Sequence, residues 1–88
     1  MTEEKKNTTL NELNWMIECT KRDLVNTLKE AQAAAQRFTN IDPTDTMADW
    51  HLDDLYDSIE RRRRLAKELK AKIASLEQAA AIVKSYND

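Results

Sequence analysis

The segment LDDLYDSIERRRRLAKELKAKIASLEQAAAIV, Leu52–Val83, decides the fold. Its apolar residues Leu52, Leu55, Ile59, Ala66, Leu69, Ile73, Leu76, Ala80 and Val83 return in steps of three and four, with Arg62 standing at the one position that breaks the stripe. Successive side chains on a helix turn by about 100°, so residues three and four apart share a face. Held for more than four heptads, this alternation is the pattern of a coiled-coil-like seam.

Toward the N-terminus a second stripe runs through Leu10, Leu13, Ile17, Leu24, Leu28, Ala31, Ala35 and Phe38. Thr9 followed by Glu12 fits a capping box, in which each side chain satisfies the other's free backbone N–H. Helix 1 is therefore expected over about residues 9–38. Between the stripes lies TNIDPTDTMADW, Thr39–Trp50, with the chain's only proline. Asp42 before Pro43 reads as an N-cap with a first-turn proline, and Thr46 with Asp49 offers a second start. A loop at about 39–45 then leads into helix 2 over about 46–86, whose early aspartates (45, 49, 53 and 54) suit the positive end of a helix dipole.

Composition narrows the class further. The 88 residues contain no glycine, 34% are charged, 41% hydrophobic and only 6% aromatic. Without glycine there is no cheap route to the positive-φ turns of hairpins and phosphate-cradling loops. One all-α domain, residues 1–88, is expected. A short loop makes its two helices an antiparallel helical hairpin. Folding at the loop sets Phe38 near Thr46 and Thr9 near Ser75, so helix 2 is expected to overhang helix 1 by about ten residues, or about 15 Å. The overhang carries Ala80, Ile82, Val83 and Tyr86. Off the seam stand Trp15, Met16, Cys19 and Val25 on helix 1 and Met47, Trp50, Tyr56 and Leu65 on helix 2. These are too many apolar groups for a two-helix seam to cover, which points to self-association, a dimer completing a four-helix bundle.

The four arginines 61–64 cannot share one face. Arg62 falls on the seam, opposite Cys19–Asp23, where Glu18 or Asp23 is its expected partner and fixing register its expected role. Arg61, Arg63, Arg64, Lys67, Lys70 and Lys72 form a basic block that follows an acidic one. Pairs such as Glu60–Arg64 and Glu68–Lys72 give the block an ordinary structural use on a solvated face. In the alternative reading, Arg61, Arg63, Arg64, Lys67 and Lys70 bind the phosphates of RNA or DNA from a helical-hairpin dimer. A net charge of −2 and the neighbouring aspartates weigh against it.

Catalytic and metal sets are missing from the sequence. His51 is the only histidine and has only Asp53 and Asp54 nearby, which is too few ligands for a built metal site. No nucleophile–base pair is visible, and no cofactor or enzymatic activity is expected. Cys19 stands alone, as in a reducing cytoplasm. No apolar run suits a membrane span or a secretory signal. The expected function is therefore that of a small cytoplasmic regulator, an inhibitor or adaptor, that binds another protein through helix faces. Trp15, Met16, Trp50 and Tyr56 are the expected contact residues, because aromatic side chains are enriched at binding hot spots.

Overall fold

A computed structural model describes residues 2–42, 44 and 48–86, apart from the side chains of 48 and 49. The protein is an all-α antiparallel hairpin of two helices, α1 (Glu3–Thr39) and α2 (Ala48–Lys84), each of 37 residues. Two compact units divide the chain: Met1–Leu24 with Glu68–Asp88, and Val25–Lys67. Within each, a stretch of α1 lies against a stretch of α2.

The start of α1 departs from expectation. The helix begins at Glu3, six residues before the capping box at Thr9. Thr2 supplies the cap instead: its Oγ1 accepts from the Lys5 amide at 3.2 Å, while its carbonyl accepts from Lys6 at 2.9 Å. Glu3 and Glu4 then occupy the first turn, where carboxylates favour the positive end of the dipole. Thr8 is ordinary helix interior, its hydroxyl bonded back to Glu4 O at 3.0 Å.

Both helices end without a left-handed residue, and no described residue has positive φ. Hydroxyls close the free carbonyls in place of a glycine cap. Thr39 Oγ1 donates to Gln36 O and Ser85 Oγ to Ile82 O, both at 2.9 Å. The amides of Asn40 and Tyr86 add tight three-residue returns to Arg37 and Val83.

Asp42 was read as a helix N-cap, but α2 starts only at Ala48. Its carboxylate accepts from Thr44 N at 2.9 Å and Thr44 Oγ1 at 2.7 Å, an Asx turn in which the side chain stands in for backbone. These bonds, the backbone one first, hold its carboxyl below the ordinary 3.8. The charged form is thus favoured by folding, so the turn is supported above the ordinary carboxylate pKa and released only as pH falls below it. The readings placed on Pro43, Asp45, Thr46, Met47 and the Asp49 side chain lie outside the described residues.

The most buried seam positions are mostly small side chains, with stripe leucines and isoleucines such as Leu24, Ile59, Leu69 and Ile73 half-buried beside them. In the unit containing the helix termini, Ile17, Thr20 and Ala80 are buried; in the other, Thr27, Ala34 and Ala66 are. No described side chain is completely buried. Thr20 satisfies its hydroxyl on Met16 O at 2.7 Å, and no buried side-chain polar atom among the described residues lacks a partner. Within Val25–Lys67 the buried positions of α1 are Thr27 and Ala34, one residue before the expected Leu28 and Ala35. Thr20, Thr27 and Ala34 are seven residues apart, so one heptad position stays inward along α1, and Leu28 and Ala35 fall beside the contact line.

Close packing at these positions leaves no room for a larger group. Ala66→Leu is expected to lower stability by about 1–3 kcal/mol through overpacking, whereas Ala33→Leu, at an exposed site, should stay within about 0.5 kcal/mol of wild type. Urea unfolding followed by far-UV dichroism measures both. Equal effects would show that the seam is not tightly packed there.

Candidate functional site

Arg62 lies on the α2 face that meets α1, a third exposed. Its Nε donates to Glu30 Oε2 at 3.4 Å, not to Glu18 or Asp23. Nη1 is held on its own helix by the Ser58 hydroxyl and by Ser58 O at 3.3 Å. The partner thus stands about two turns further along α1 than the expected register allowed. In the unit with the termini the register is displaced in the same sense: Lys6 Nζ donates to Tyr86 O at 3.2 Å. The expected overhang of α2 is therefore absent, because the early start of α1 supplies residues to lie beside its last turn.

Among the described residues nine large apolar ones are exposed. On α1, Trp15 is 70% and Met16 39% exposed; on α2, Trp50 is 64% and Tyr56 56% exposed. The first two belong to the unit of the termini and the last two to the unit of the connection, so the four expected contact residues form no single cluster within either unit. Trp50 has an aromatic neighbour in His51, the ring centroids 5.6 Å apart and tilted by 52°. Val25, Leu28, Leu65, Ile82 and Tyr86 extend the exposed apolar set. Leu28 was read as seam and Glu30 was passed over. The heptad step from Thr20 to Thr27 was a usable signal for the first.

The basic block is divided. Arg61, Arg63, Arg64 and Lys67 fall in the Val25–Lys67 unit, Lys70 and Lys72 in the other. Glu60 pairs with Arg63 at 3.8 Å, three residues on, in place of the expected partner Arg64. Arg61 and Arg64 instead line a shallow open groove with Asp54, Asp57 and Glu60. Carboxylates within the groove lower its attraction for phosphate. A second groove, between Asn14, Ile17, Glu18 and Lys21 on α1 and Glu77, Ala80, Ala81 and Lys84 on α2, is equally open and mixed in charge. Among the described residues no three His, Cys, Asp or Glu side chains gather as metal ligands, and no helix is long and apolar enough to cross a membrane. Cys19 is a half-buried free thiol.

No family model, curated protein or solved structure matches the chain.

The geometry of Arg62 sets its energetic weight. Its partner Glu30 is 63% exposed, so water screens the pair and a double-mutant cycle with Glu30→Ala and Arg62→Ala should return a coupling of about 0.2–1 kcal/mol that shrinks with salt. Arg62→Leu should keep or raise the unfolding midpoint. A coupling above about 2 kcal/mol would mean that the pair behaves as a buried one.

Proposed function

We propose that the protein is a small non-enzymatic regulator, an inhibitor or adaptor, that binds other proteins by offering helix faces to their helices and to copies of itself. The observation that carries this reading is the exposure of Trp15, Trp50 and Tyr56 on helices whose apolar stripe residues, Leu28 and Ala35 apart, are buried or half-buried. Large aromatic side chains bring contact area at low entropic cost, and placed on a straight helix they are suited to the groove of another helix pair. A cytoplasmic setting fits the lone thiol of Cys19. The competing reading, phosphate binding by Arg61, Arg63, Arg64, Lys67 and Lys70, is disfavoured by the acids that share the groove of Arg61 and Arg64.

Photo-crosslinking from position 15 or 50 of the full chain, with and without nuclease treatment, tests the reading directly. Crosslinked protein is expected, and once a partner is in hand Trp50→Ala should weaken it by about 2 kcal/mol or more, roughly thirtyfold. Recovery of nucleic acid alone, with an affinity that falls steeply in salt and is lost on changing Arg61, Arg64 and Lys67 to glutamate, would replace this reading with the competing one.

A further inference from the structure

The outer face of α2 in the Val25–Lys67 unit carries two acids followed by two bases at a symmetric spacing. Asp54, Asp57, Arg61 and Arg64 stand three, four and three residues apart, a stripe that occupies one helical face. All four are exposed and line one groove. Among the described residues none of the four makes an ion pair within the chain, the nearby pairs being Arg62–Glu30 and Arg63–Glu60. The order acid, acid, base, base is complementary to its own reverse.

We infer that α2 pairs with α2 of a second copy, antiparallel and two-fold symmetric about Ile59, through this stripe. The inference rests on the reading of the helix faces as interaction surfaces and names the occupant of one of them. In this pairing Asp54 meets Arg64 of the second copy and Asp57 meets Arg61 of the second copy, and each contact occurs twice by symmetry. Trp50, one turn before Asp54, comes within reach of the same guanidinium that Asp54 binds, and an indole face is a favourable seat for it. Leu65, 45% exposed beside Arg64, adds apolar area at the edge of the contact. A parallel pairing in the same register would set acid against acid and base against base. Charge therefore selects the antiparallel arrangement, which is the role that complementary charge performs best at interfaces. A phosphate backbone, uniformly negative, satisfies only half of the stripe. A second copy satisfies all of it.

Charge exchange on the full chain tests the pairing. D54R/D57R makes the stripe wholly basic and R61D/R64D makes it wholly acidic, while dichroism verifies that each variant stays helical. At ~100 μM, where a specific dimer is populated, light scattering should find wild type dimeric. Each variant alone should associate at least about tenfold more weakly. An equimolar mixture of the two should restore the dimer, and so should the fourfold exchange D54R/D57R/R61D/R64D, whose stripe is again self-complementary. A wild type that is monomeric overturns self-pairing itself. Variants that associate as well as wild type, or a mixture that stays monomeric, overturn the stripe as the contact while leaving the other helix faces as interaction surfaces.

Discussion

The structure depends on a helix–helix seam whose most buried positions are, Ile17 apart, small side chains. Thr20, Thr27 and Ala34 stand seven residues apart on α1, and Ala66 and Ala80 fourteen apart on α2. At such positions a leucine would hold the helices apart; alanine and threonine let their backbones approach and make dispersion contacts along the whole line. The same choice limits the core. Small groups bury little apolar area, and burial stabilises by only about 25 cal/mol per Å², against about 1–2 kcal/mol of backbone entropy for each residue ordered. Half-buried leucines and isoleucines, Leu24, Ile59, Leu69 and Ile73 among them, flank these positions, while Trp15, Trp50 and Tyr56 stand outside the seam.

The rest of the molecule follows from continuing helices as far as they will go. With no glycine in the chain, each helix stops where a hydroxyl turns back onto a carbonyl, Thr39 in one and Ser85 in the other. Asp42 organises the connection through its own turn with Thr44. Two polar groups at the helix–helix face have partners: Thr20 bonds to its own helix, and Arg62 to Ser58 and Glu30. An ion pair open to water contributes little stability. Its value is positional, since Arg62 meets Glu30 in only one register.

The helical class, the count of two helices and the hairpin were legible in the stripes and in the missing glycine. Register was not. Two Thr-led sequences, Thr2-Glu3-Glu4 and the Thr9–Glu12 box, compete to start α1, and the first wins because it adds six residues of helix that the last turn of α2 can meet. The early start removed the overhang, while the register itself, in which Arg62 meets Glu30 and not Glu18 or Asp23, lies about two turns from the expected one. Reading apolar identity alone also chose Leu28 and Ala35, whereas the heptad continued from Thr20 puts Thr27 and Ala34 inward. Of the candidate site, the identity of the exposed aromatic residues could be read from their off-seam positions. Their separation into two units could not, because spacing along one helix says nothing about which contacts make a unit compact.

The central claim is that two helices joined by this seam are only part of a fold that further helices complete. Its most direct measurement is the thermal unfolding midpoint of the full chain over a range of about a thousandfold in protein concentration, since a partner copy stabilises by mass action. The midpoint should climb steadily with concentration. A high midpoint that is the same at both ends of the range would show a self-sufficient hairpin and contradict the claim.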